Sequence, residues 1–170
     1  MIQRKQSIYL LFAAIILSIT YFVPLSSFYG EKDSLVLNLY NVESLVPGFD
    51  SPFSFYFNLP LIIPVTLIVI ISIVTIFLYK NRKLQLLLVR LMLLLLLVYI
   101  GVYFFYFVEV LEEKSGGFAS YMYSVPILET GIQIPTVIFI IPLVVAMLLT
   151  MASKGIRDDE KLIRSIDRLR

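Results

Sequence analysis

The chain alternates long stretches without a single charge with short segments dense in charge. The charge-free runs cover residues 6–30, 51–79, 91–108 and 130–153, bounded by Lys5 and Glu31, Asp50 and Lys80, Arg90 and Glu109, and Glu129 and Lys154. About 20 mainly apolar residues in a helix cross the hydrocarbon core of a bilayer. The pattern predicts four transmembrane helices near residues 7–27, 59–79, 85–108 and 133–152. The third borrows Leu84–Val89, with Arg90 snorkelling to the headgroups. Pro60 and Pro64 fall in the first turns of the second, where a missing N–H is tolerated. Pro142 inside the fourth predicts a kink or a loosened turn. The first run follows Arg4 and Lys5, as a signal peptide would. It is long, however, and ends in Tyr21-Phe22-Val23-Pro24 with no small-x-small cleavage pattern, so it reads as an uncleaved anchor.

The two long loops, 28–58 and 109–132, carry patterns of their own. Residues 34–40 are strand-like, Phe53-Ser54-Phe55-Tyr56-Phe57 alternates in part, and residues 118–125 fit a strand pairing with either. Pro47-Gly48 and Ser115-Gly116-Gly117 supply turns. The expected fold is an all-α membrane protein: one domain over residues 1–170, a four-transmembrane-helix bundle with a small extracytoplasmic β-hairpin or three-stranded cap. Of 24 aromatic residues, 18 lie in these loops or at the adjoining helix ends. They suit an interfacial belt and the packing of the cap, or a surface for a lipid, a sugar or a partner.

The last segment, residues 153–170, has Leu162, Ile163, Ile166 and Leu169 at helical spacing, acids at Asp158, Asp159 and Glu160, and a Glu160–Arg164 pair four residues apart. It predicts a short basic amphipathic helix, lying on an anionic leaflet or docked on its own bundle or a partner. Arg157, Asp159, Glu160, Arg164, Asp167 and Arg168 are the candidate contacts to lipid or partner.

Composition agrees with lipid as the solvent: 59% of the residues are apolar and 15% charged, against roughly half and a quarter in soluble domains. The net charge of +2 does not suggest nucleic acid. Its distribution says more. Twelve of the 14 basic residues fall in the N-terminus, the connection between spans two and three, and the tail, beside four acids, giving that side +8. The other two loops hold two lysines and eight acids, giving −6. Basic loops stay inside, so both termini are expected in the cytoplasm.

Cys and His are absent. That removes disulfides, thiolate nucleophiles, the commonest metal ligand and the commonest neutral-pH base. No catalytic, metal or cofactor residue is assigned, and the chain is not expected to be an enzyme. No ionisable residue lies near the middle of a span, which argues against proton coupling. The hydroxyls of Ser18, Thr20, Thr66, Ser72, Thr75, Thr136 and Thr150 are expected to bond to their own helices or a neighbour. The remaining candidates are three outer-face carboxylates, Glu109, Glu112 and Glu129, able to act only if they converge. Expected partners are the bilayer and other membrane proteins.

The start, Met1-Ile2-Gln3-Arg4-Lys5-Gln6-Ser7-Ile8-Tyr9-Leu10-Leu11, and the tail from Ile156 to Arg170 together resemble an uncharacterised family of small inner-membrane proteins from Bacteroidetes, domain of unknown function 4293. The resemblance runs over the whole length. It implies four helices, an inner-membrane location, both ends inside and no assigned activity, and it carries over no site residues. Quinone-linked disulfide oxidoreductases and claudin-like or tetraspanin-like proteins fit worse, because each needs cysteines.

Overall fold

A computed structural model describes residues 5–30, 34–45, 53–79, 81–120, 122–124, 133–135 and 137–167. The expected Pro47-Gly48 turn, Thr136, Glu129 and Arg168 lie outside them.

The helices are α1 (Lys5–Ser18), α2 (Leu59–Phe77), α3 (Arg82–Val102), α4 (Glu109–Ser115) and α5 (Val137–Asp167). A π-helical segment, Tyr103–Val108, joins α3 to α4 without a break. Three runs are long and apolar enough to cross a membrane: Tyr56–Phe77, Arg82–Ser115 and Phe139–Lys161. The apolar helix Gln6–Tyr21 is shorter. It was expected to reach residue 27. Instead it tightens to a 3₁₀ turn at Ile19–Tyr21 and stops. Pro24 holds Val23 away from helical geometry, and the Leu25 N–H turns to the Leu37 carbonyl, 2.8 Å away.

Two other boundaries also differ from expectation. The third span does not end at residue 108 but runs 34 residues to Ser115. The tail is not a separate helix. It continues α5, a 31-residue rod of about 46 Å that passes through Pro142 unbroken.

Each helix buries one seam. Gln6, Leu10, Ala13 and Leu17 line α1. Leu61, Val65, Ile68, Ser72 and Thr75 line α2. Gln85, Val89, Met92, Leu96 and Tyr99 line α3, and Val145, Leu149, Ala152 and Ile156 line α5. Alternating steps of four and three residues make a 3.5-residue repeat, which suits knobs-into-holes packing. Beyond Tyr99 the buried positions become Tyr103 and Phe107 in the π segment and Leu111 and Ser115 on α4, all four apart. An α-helix overshoots a turn on each such step. The wider π turn takes up the excess, so the seam keeps facing inward.

α1 packs against α2 and α5, and α3 packs against the same two. Gln85 Nε2 donates to the Thr75 carbonyl at 2.9 Å, and Arg82 Nη1 to the Asp159 carbonyl at 2.7 Å. A Cβ on Gly155 would lie 3.5 Å from that of Gln6. These contacts bring the starts of α1 and α3 beside the ends of α2 and α5.

The outward faces are as apolar as the seams. Phe105 is 84% exposed, Leu143 74% and Leu97 69%. Leaving such side chains in water forfeits roughly 1.5–3 kcal/mol each, so the surface suits lipid and marks a membrane protein. Tyr56 and Phe77, at the two ends of the apolar run Tyr56–Phe77, are 77% and 75% exposed. They stand about 32 Å apart along the axis, close to the thickness of the hydrocarbon core, where aromatic girdles belong.

At the opposite end from the basic segments sits a sheet. Strands β1 (Ser26–Gly30), β2 (Ser34–Leu37), β3 (Val42–Ser44) and β4 (Gly117–Ser120) are antiparallel in the order β3-β2-β1-β4. Phe28 pairs with Leu35 on one side and Ala119 on the other. β5 (Met122–Ser124) and β6 (Gln133–Pro135) form a second, two-stranded sheet. The cap is therefore larger than a hairpin or three strands, because Ser26–Gly30, whose first two residues were assigned to the first span, is one of its two inner strands. The alternating Phe53–Phe57 segment is not a strand. Phe55–Asn58 is 3₁₀-helical, and this curl stacks Phe53 on Phe57 at 4.3 Å between ring centroids. Buried Asn58 then donates to the carbonyls of Asn38 and Leu39 at 3.0 and 3.3 Å, tying α2 to the β2–β3 turn. Gly116, in the left-handed region at φ 68°, closes α4 by donating to the Glu112 carbonyl, as the glycine pattern predicted.

Candidate functional site

The basic end collects the most chemistry. Asn81 caps α3 there, its side chain accepting from the Leu84 N–H at 3.3 Å. The cap starts the helix that carries Arg82, Lys83 and Arg90. Beside it, α5 leaves the apolar zone at Lys154 and continues as helix. Gly155 does not interrupt it, since α1 packs against α5 there through Gln6.

Along α5, Thr150, Lys154, Arg157 and Lys161 recur at steps of four, three and four, so they form one line. Met151 and Asp158 lie one position round. These six residues line a groove of about 460 Å³. Arg157 is held in place: Nε donates to the Ser153 carbonyl at 3.3 Å and Nη2 to the Ser153 hydroxyl at 3.2 Å. Asp158 and Lys161 approach to 4.0 Å with both side chains largely exposed, an arrangement that contributes little to stability. Three cations thus face one carboxylate that already has a partner. An anion entering the groove would meet three exposed cations, of which Arg157 is held by Ser153.

Of the residues expected to make contacts in the tail, Arg157 lines the groove. Asp159 and Glu160 are half-buried beside it, with the Asp159 carbonyl held by Arg82. Arg164 and Asp167 continue the helix, and Arg168 lies outside the described residues. Sequence reasoning passed over Thr150, Met151, Lys154 and Lys161. Their four-and-three spacing was the available signal, but it crosses the assumed boundary between span and tail.

Among the described residues, the sheet end does not gather a comparable site. Glu109, Glu112 and Glu113 belong to the helix α4 rather than a loop. Glu109 and Glu113 are exposed and Glu112 half-buried. Glu129 is outside the described residues, and among those described no three His, Cys, Asp or Glu come together to hold a metal. The aromatics here pack on one another: Phe57 lies 4.7 Å from Phe107 and 5.6 Å from Tyr106, and Phe104 lies 5.6 Å from Phe139, between ring centroids.

The hydroxyls expected to satisfy themselves locally do so. Ser18, Thr20, Thr66, Thr75 and Thr150 donate to carbonyls three or four residues back, at 2.6–2.8 Å. The Tyr21 and Thr66 hydroxyls also share a 2.7 Å bond between α1 and α2, and Ser72 donates to the Met92 sulfur at 3.1 Å between α2 and α3.

No curated protein and no solved structure matches the chain. The family described as Domain of unknown function (DUF4293) matches residues 2–169.

Proposed function

The chain belongs to the DUF4293 family, whose description assigns no function, and from that premise we propose that it is a small, non-enzymatic subunit or scaffold of an inner-membrane assembly. In this reading it crosses the membrane of a Bacteroidetes bacterium four times, as a bundle of α1, α2, α3 and α5. The basic end is cytoplasmic and the sheet faces outward. The shortness of α1 is compatible with a crossing because α1 packs beside both α2 and α5. The orientation rests on the +8 and −6 division of charge.

The observation that carries the proposal is the continuity of α5. From Lys154 to Asp167 it extends about 20 Å past the apolar zone, braced by Arg82 on the Asp159 carbonyl. A rod that leaves the membrane along the axis of its own span does not lie flat on the leaflet. Such an extension offers a partner a helix to dock against beneath the bundle, and its sequence carries Leu162, Ile163 and Ile166 at helical spacing. Glu109 and Glu113 stand exposed along one helix, which lends a catalytic reading no support from these two carboxylates.

Cross-linking in native membranes, followed by purification in mild detergent, tests the proposal. Specific membrane proteins should be captured by the whole chain and lost when it is truncated after Lys161. A protein that stays solitary, or captures the same set without the arm, would overturn it.

A further inference from the structure

The α5 groove has a feature that an assembly arm does not require. It straddles the boundary between apolar and charged chain. Thr150 and Met151 lie in the charge-free run, whereas Lys154, Arg157, Asp158 and Lys161 lie beyond it. Thr150 to Lys161 spans about 16 Å of helix axis. The groove therefore reaches from the edge of the hydrocarbon region across the depth of the headgroups.

We propose that this groove binds the phosphate-bearing headgroup of an anionic phospholipid. Lys154, Arg157 and Lys161 are exposed, so their charges are open to a ligand. Arg157 spends two donations on Ser153 and keeps its other N–H donors for phosphate oxygens, the acceptors a guanidinium fork fits best. Asp158, the one carboxylate in the wall, is paired with Lys161 and leaves the groove with net positive charge. Met151, beside Thr150 in the lining, offers an apolar contact, which suits the glycerol and first acyl carbons of a lipid and has no use for a free anion. Anionic lipids of the inner leaflet supply this ligand at the depth where the groove opens.

Retention of added lipid by the delipidated full-length protein, read by native mass spectrometry, tests the inference. Phosphatidylglycerol should be retained and phosphatidylcholine should not. The double variant Lys154→Gln/Arg157→Gln should hold phosphatidylglycerol on the order of thirtyfold more weakly, roughly fivefold for each interfacial cation. Both side chains are exposed, so its melting temperature should match that of the parent. Lys154→Arg/Arg157→Lys should keep the lipid, as should Lys114→Gln at the opposite end. Equal retention of the two lipids, or undiminished retention by the double variant, would overturn the inference. So would binding of inorganic phosphate alone with the same loss in the variant. None of these results depends on capture of a partner.

Discussion

Deleting Phe105 should leave the protein folded, whereas deleting Leu94 should not. Between Tyr99 and Ser115 the buried positions recur every four residues. In an α-helix each such step overshoots a turn by about 40°, and four of them would carry the seam about 160° round, from core to lipid. The π segment Tyr103–Val108 prevents that. Removing Phe105, which is 84% exposed and packs little, shortens one step to three residues. The remaining drift, about 60°, is one that plain α-helix tolerates with the seam still inward. Leu94 is also largely exposed but lies in regular α3. Its loss would turn Leu96, Tyr99, Tyr103, Phe107 and Leu111 by about 100° relative to the first half of the helix. Large buried side chains are each worth about 2–5 kcal/mol of packing, so displacing five, about 10–25 kcal/mol, matches or exceeds the whole stability of a typical domain, about 5–15 kcal/mol. Membrane yield, size-exclusion profile and thermal melting followed by circular dichroism read the outcome. The Phe105 deletion should be monodisperse and melt within roughly 5 °C of the parent, about 1–2 kcal/mol for a chain of this size; the Leu94 deletion should not accumulate. Equal damage from the two deletions would refute the reasoning.

Other perturbations follow from single contacts. Asn58→Ala removes two hydrogen bonds to carbonyls of the β2–β3 turn and should cost about 2–3 kcal/mol, lowering the melting temperature by roughly 4–12 °C. Gly155→Ala should be neutral or stabilising by up to about 1 kcal/mol, because its Cβ meets Gln6 at ordinary contact distance; Gly155→Leu should drive into the Gln6 backbone and destabilise in the same melting assay. Arg82→Ala removes the brace on the Asp159 carbonyl and should speed hydrogen exchange in α5 beyond Ile156 while leaving the melting temperature within a few degrees, about 1 kcal/mol.

The positions of the apolar helices were legible because charge is expensive in lipid, so an unbroken absence of charge marks a span. The inward faces were not, because Leu and Ile serve lipid and core alike. The seams betray themselves through small and polar residues instead: Gln6 and Ala13, Ser72 and Thr75, Gln85, and Ala152 with Ser153. Read at 3.5-residue spacing, these would have found the packing faces. Ser26–Gly30 was split between the first span and the loop because the charge-free run continues through it to residue 30, and only pairing with β2 and β4 makes it a strand. Phe53–Phe57 was misread because alternating aromatics suit a strand as well as they suit a curl that stacks i on i+4. The helical state of the tail was legible as far as Asp167. The groove was not, because dividing the chain at Ser153 separated Thr150 and Met151 from Lys154 and Arg157.

The proposed orientation sets the basic end in the cytoplasm and the sheet outside. The chain contains no cysteine, so single-cysteine labelling has no background. Glu43 on β3 and Lys161 on α5 are both exposed and lie at opposite ends. In intact spheroplasts a membrane-impermeant maleimide should label the Glu43→Cys variant at once and the Lys161→Cys variant only after permeabilisation. Labelling of Lys161→Cys before permeabilisation, or protection of Glu43→Cys, would contradict the account.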